Sequence, residues 1–172
     1  KTMDIITRAD QIASPRLRQL YDYWQSKRRD GRLPRRADID PAEIPQLMPN
    51  LLLADIEHDP FRVRYRLVGT QIVEATGFEF TGKYLDEIVL PDDEGPFLES
   101  YQLAAEHKAA VLARITWRLD AETTGEYDAC FLPLSEDGVT VDKVLSMECY
   151  DTLQRDFTLL TGRPLPGRRR RD

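Results

Sequence analysis

Between residues 15 and 27 the apolar positions recur at helical spacing. Leu17, Leu20, Tyr21 and Trp24 fall at i, i+3, i+4 and i+7, and Arg16, Arg18, Gln19, Asp22, Gln25 and Ser26 occupy the opposite face. Ser14 stands where an N-cap is needed and Pro15 at the first helical position, so an amphipathic helix starts there and stops at Asp30-Gly31. Asp40-Pro41-Ala42-Glu43 signals a second start, with Glu43 placed as in a capping box, but Pro45 and Pro49 keep that helix short. Residues 1–13 show little pattern.

From Leu51 the period changes to two. Residues 51–56 read as a strand, His58-Asp59-Pro60 as a turn, and 61–67 as a second strand. Its alternation puts Phe61, Val63, Tyr65 and Leu67 on one face and Arg62, Arg64 and Arg66 on the other. Short helical pieces follow at 70–75 and 81–88. A longer helix at 96–107 carries Phe97, Tyr101 and Ala104 or Ala105 as its buried stripe. Alternation returns with Val111, Ala113, Ile115, Trp117 and Leu119. Thr124-Gly125 reads as a turn into a strand at 126–134, and Asp137-Gly138 as a hairpin turn into 139–150.

That order predicts an α+β domain built on an antiparallel sheet. Residues 1–50 form an N-terminal helical extension, 51–150 the sheet domain, and 151–172 a short helix followed by a basic, disordered tail. A chain of 172 residues with 41% hydrophobic content buries one core without a disulfide or metal. Fifteen aromatic residues spread along it exclude disorder throughout. No apolar run approaches the roughly 20 residues that span a bilayer, and the first residues lack a secretory apolar stretch. With two cysteines and two histidines, the expected setting is cytoplasmic.

Charge is unevenly placed. The formal charge is −6, yet the last ten residues carry +4, which leaves −10 on the rest. A second basic run, 27–36, holds six bases against one acid. The acidic body repels nucleic acid and anionic lipid, and no aromatics interleave with Arg168 to Arg171 as a stacking platform requires, so nucleic acid is disfavoured as a partner.

Two strands, a cluster of short helices, one longer helix and a three-stranded meander over 51–150 resemble the PAS domain. Leu20-Tyr-Asp-Tyr-Trp, Gly31-Arg-Leu-Pro-Arg-Arg-Ala-Asp-Ile-Asp-Pro, Tyr65-Arg-Leu-Val-Gly-Thr, and Thr81-Gly-Lys-Tyr ahead of Leu85 resemble a family of short bacterial single-PAS proteins. The resemblance implies a five-stranded antiparallel sheet with short helices over one face. It also implies a sensor or adaptor role in signal transduction, with no particular ligand.

Such a fold has one place for a small molecule, between sheet and helices. The inward candidates are Tyr65, Leu67, Phe97, Tyr101, Ile115, Trp117, Tyr127 and Phe131; the plainer alternative is that they only fill the core. Arg66 is the candidate polar gate if a bulge turns it inward, where it can hold a carboxylate bidentately. Otherwise Arg62, Arg64 and Arg66 form an outward face paired with acids. Leu17, Leu20, Tyr21 and Trp24 either pack on the chain's own sheet or meet a second copy, and the stripe is assigned to a homodimer face. A signalling protein is the other partner expected.

Sharper chemistry finds little support. Haem-binding PAS sensors use a histidine on the long helix, but His107 sits at its end, and His58 in its turn reads as solvated. Light-sensing relatives bind flavin covalently through a reactive cysteine in an Asn-Cys-Arg-Phe-type motif. Here Cys130 and Cys149 lie in strands as buried apolar thiols, so covalent flavin is disfavoured as haem is. No phosphate loop, nucleophile elbow or His-Glu metal spacing occurs, and Asp92-Asp93-Glu94 suits a helix N-terminus. No catalytic residue and no metal ligand is assigned. The expected function is non-catalytic sensing, and the alternative is a constitutive interaction module with a packed core.

Overall fold

The computed structural model describes residues 2–6, 8–88, 91–118 and 124–150, with side chains over 8–88, 95–116 and 126–150. The helix expected at 151–162, the arginine-rich tail and Leu119 lie outside them. Helix α1 (Pro15–Lys27) forms as its caps require: the Ser14 hydroxyl accepts a hydrogen bond from the Leu17 amide at 3.4 Å, and Pro15 sits in the first turn. Past its end, Asp30 (φ 51°) and Gly31 (φ 73°) reverse the chain, bringing Arg29 and Arg32 together as an isolated bridge. Asp40 caps only a single 3-10 turn, Pro41–Glu43, through the Ala42 amide at 2.9 Å.

Strands β1 (Thr2–Ile6), β2 (Leu51–Glu57), β3 (Arg62–Val68), β4 (Val111–Arg118), β5 (Thr124–Leu134) and β6 (Lys143–Cys149) make one antiparallel sheet, ordered β1-β4-β5-β6-β2-β3. Five of these strands are the expected sheet. β1 adds a sixth at the edge, pairing Thr2 with Thr116 through to Ile6 with Leu112. Its five residues are too few to stand out as a period in the sequence. Helices α2 (Thr70–Thr76), α3 (Leu85–Ile88) and α4 (Pro91–His107) lie on one face, and α1 covers the other. The acids 92–94 therefore fall inside the first turn of α4, and their side chains are outside those described.

The α1 stripe packs on the chain's own sheet. Leu17, Leu20 and Trp24 are buried against Leu132, Leu134, Leu145 and Met147, and the Trp24 indole donates to the Pro133 carbonyl at 3.0 Å. Tyr21 is partly buried on the same cluster. Hiding each large side chain contributes about 1.5–3 kcal/mol, and these atoms are then unavailable to a second copy. The assignment of Leu17, Leu20 and Trp24 to a homodimer face is corrected accordingly, while Tyr21 keeps part of its surface exposed.

A bulge corrects the alternation of β3. Leu53 pairs with Leu67 and Ala54 with Tyr65, so Arg66 is the extra residue. Val63 and Tyr65 face α2–α4, whereas Leu67 packs among the α1-side residues and Val68 returns to the first face. The last third differs too. Thr124 and Gly125 belong to β5, opposite Arg118 and Trp117, not to a turn. β6 begins only at Lys143, because Asp137 folds 135–142 into a loop by accepting the Val139 and Thr140 amides at 2.8 Å each.

Candidate functional site

The face beneath α2–α4 is where sequence placed the ligand candidates, and Tyr65, Phe97, Tyr101, Ile115, Tyr127 and Phe131 are all buried there. Alternation in β4 and β5 delivers Ile115, Tyr127 and Phe131, and the stripe of α4 delivers Phe97 and Tyr101. Trp117 stands opposite Gly125, with its side chain outside those described. Leu67 does not belong to this set, because the bulge turns it to the α1 side. Arg66 is likewise excluded: it pairs with Asp55 on the exposed surface, beside Lys143 at 3.5 Å from the same carboxylate. The neighbouring Arg62 holds Asp86 through two bonds of 2.9 and 2.8 Å and lies 3.6 Å above the Tyr84 ring. Arg64 donates to the Gly82 carbonyl.

Within the face, aromatic rings meet edge to face. Tyr65 sits on Phe80 with centroids 4.9 Å apart, and Tyr101 on Phe131 at 5.0 Å. The Tyr101 hydroxyl lies 3.2 Å from the Ser146 hydroxyl and 3.5 Å from that of Tyr65. A second cluster stands at the β5–β6 end, where Tyr127 packs on Tyr150 at 5.2 Å and the Tyr150 hydroxyl donates to Glu148. Tyr127 is 4% exposed.

Burial is the main cause that pushes all four phenols upward. Tyr101 rises to about 12 even though hydrogen bonds from Ser146 and Tyr65 favour its ionised form. Tyr65, Tyr127 and Tyr150 stand well above the ordinary value, and in each the Glu148 carboxylate adds to the effect of burial. At neutral pH the face therefore presents protonated hydroxyls, able both to donate and to accept.

Ser146, Glu148 and Tyr150 were absent from the sequence-derived candidates. The signal was present: Val144, Ser146, Glu148 and Tyr150 alternate with Leu145, Met147 and Cys149. A polar alternate face reads as the solvent side of a sheet that buries only one face. Here both faces are covered.

The remaining groups are placed as follows. Cys130 and Cys149 are buried on the α1 side and not joined in a disulfide, and burial pushes Cys130 far up. His107 is exposed at the end of α4. His58, though exposed, is not simply solvated: its Nε2 lies 2.8 Å from the Val141 carbonyl. Among the described residues no group of three or more acids, cysteines or histidines is placed to hold a metal ion, and no helix is long and apolar enough to cross a membrane.

A family model of the PAS domain matches residues 12–147. No curated protein matches the chain in sequence. Among solved structures, it is similar to a light-oxygen-voltage domain studied with a flavin analogue, at 14% identity and TM-score 0.46, over 63% of this chain and 81% of that one. It is similar also to an RNA-binding light-oxygen-voltage receptor, at 14% identity and TM-score 0.46, over 78% of this chain but only 38% of the receptor.

Proposed function

Because this chain belongs to the PAS domain family, we propose that it works by recognition rather than bond-making, as a sensor of a small molecule held between the sheet and helices α2–α4. PAS domains are generally sensing or interaction modules. What favours sensing is the set of buried, protonated phenols Tyr65, Tyr101 and Tyr127 beneath α2–α4, polar groups that a purely structural core does not need. Such hydroxyls can donate to or accept from the polar groups of a bound molecule. Ligand binding then shifts the packing of α4, which spans β4, β5 and β6, and changes what a signalling partner meets. The shift requires the ligand to prefer one arrangement over the other.

The alternative, a constitutive interaction module, draws on the closeness of the same packing: Tyr101, Ala104, Ala113, Ile115, Ala129 and Phe131 are all at most 1% exposed. Native mass spectrometry of the chain as purified, and after exposure to a metabolite extract, separates the two. The sensor reading expects a small-molecule adduct in the unaltered chain that is reduced in Tyr127→Phe. An unaltered chain that takes up nothing from either source favours the constitutive module.

A further inference from the structure

The fold divides the six cations of the basic run at 27–36 into two groups. Four are tied down. Lys27 pairs with Glu43 at 2.6 Å, and Arg35 with Asp38 at 3.5 Å. Arg36 donates to the Ile39 carbonyl at 2.9 Å. Arg28 lies 5.2 Å from the centroid of the buried Trp24 ring and donates to the Gly31 carbonyl at 3.2 Å. The other two, Arg29 and Arg32, are exposed, and neither side chain makes a hydrogen bond or an ion pair among the described residues.

The turn between them sets the pair side by side. Asp30 and Gly31 both have positive φ, 51° and 73°, as a type I′ hairpin turn requires. The Arg32 amide closes it by donating to the Arg29 carbonyl at 2.9 Å. Residues opposite each other in an antiparallel bridge carry their side chains on one face, with Cβ atoms roughly 4.5–5.5 Å apart. Like charges so placed destabilise the pairing. The exposed Asp30 carboxylate forms no ion pair with either of them. An anion lying across both removes the repulsion and takes charge-assisted N–H bonds from each.

The neighbouring loop decides which anion. Residues 135–142 are held against this segment: the Ser135 amide donates to the Pro34 carbonyl at 3.0 Å, and the Arg36 amide to Glu136 at 3.2 Å. The Arg32 stem passes Gly138, where an added Cβ would meet its Cδ at 3.9 Å. The next residue, Val139, is 65% exposed, the one large hydrophobic side chain so exposed among the described residues. Asp137 fixes that position by accepting the Val139 and Thr140 amides. A phosphate chain offers Val139 nothing apolar to meet, and residues 27–36 include no aromatic ring on which bases stack. A chain of formal charge −6 also opposes an extended polyanion. A short peptide that carries carboxylates and an aliphatic residue suits both features.

We propose that Arg29, Arg32 and Val139 form a docking surface for an acidic segment of a partner protein, with carboxylates across the two guanidiniums and an aliphatic side chain on Val139. The surface uses none of Tyr65, Tyr101 or Tyr127, so its test is independent of the small-molecule reading.

Fluorescein-labelled peptides of Glu-Glu-Leu repeats test it, beside versions with glutamine for glutamate or serine for leucine and a labelled oligothymidylate. Each is titrated with the full chain at low ionic strength and followed by anisotropy. The glutamate–leucine peptide is expected to bind about tenfold more tightly than its glutamine version. Arg29→Glu combined with Arg32→Glu should abolish that preference; if this variant does not fold, Arg29→Gln with Arg32→Gln should do the same. Arg8→Glu with Lys108→Glu changes the net charge equally at two other exposed sites and should weaken binding by less than about twofold. Val139→Ser should cost about threefold with the leucine peptide and leave the serine peptide unchanged. Absence of binding, equal binding of the glutamine peptide, or a preference that survives loss of Arg29 and Arg32 overturns the proposal. Equal weakening by the Arg8 and Lys108 changes overturns it too, as an effect of bulk charge. An unchanged Val139→Ser variant overturns the apolar half. Oligothymidylate that binds more tightly than the peptide, and is lost with the same two arginines, replaces the acidic segment with nucleic acid.

Discussion

The two faces of one sheet carry different kinds of core. Beneath α1 the buried set is largely aliphatic and sulfur-bearing, with Leu17, Leu20, Leu47, Leu132, Leu134, Cys130 and Met147 around Trp24. The one indole donor there is bonded at 3.0 Å. Beneath α2–α4 the set is aromatic and hydroxylated: the Tyr101 hydroxyl lies 3.2 Å from that of Ser146 and 3.5 Å from that of Tyr65, and the Tyr150 hydroxyl donates to Glu148. A face whose polar atoms are satisfied is a structural joint. A face lined with hydroxyls carries groups that can also recognise a polar molecule.

Substitution of the joint should have the largest effect. Trp24→Ala removes a fully buried indole and its bond to Pro133 and is expected to cost about 3–5 kcal/mol in urea unfolding. Its association state should not change. A small loss of stability accompanied by loss of a dimer would overturn the assignment of α1 to the chain's own core.

Alkaline titration acts on both faces, since burial also raises the Cys130 thiol on the α1 side, but the phenol contribution belongs to the other face. Tyr101 keeps its proton up to about 12 in the folded chain, against 10.0 for the unperturbed phenol. The unfolded chain therefore releases its proton first as pH rises. Stability present below pH 10 is lost on the way to 12, by about 3 kcal/mol from this residue. Tyr101→Phe should flatten that dependence, and an equally steep loss in the variant would place the cause elsewhere.

The smallest effect sharpens the contrast most. Without ligand, Tyr127→Phe should change stability by no more than about 1 kcal/mol, because it removes a hydroxyl and keeps the ring packed on Tyr150. A loss of more than that would mean the hydroxyl has a partner in the ligand-free protein.

Much of this was legible in the chain. The caps and stripe of α1, the alternation of β4 and β5, and Tyr65, Tyr101, Tyr127 and Phe131 as buried residues all follow from spacing. The site's polar members did not. Glu148 and Ser146 look like a solvated strand face until helices are laid over it. Arg66 shows the limit from the other side. A bulge does occur at that point, but it moves Leu67 across the sheet and leaves Arg66 in contact with Asp55, because the extra residue is accommodated at the surface.

Local pattern, by itself, determined the elements and which of their residues are buried, since periodicity and capping are properties of short stretches of chain. Only the tertiary structure decided which of two faces each buried residue joins and which polar atoms are left without partners. Those depend on register, on one inserted residue in β3, and on contacts between segments nearly a hundred residues apart, such as Asn50 with Glu148.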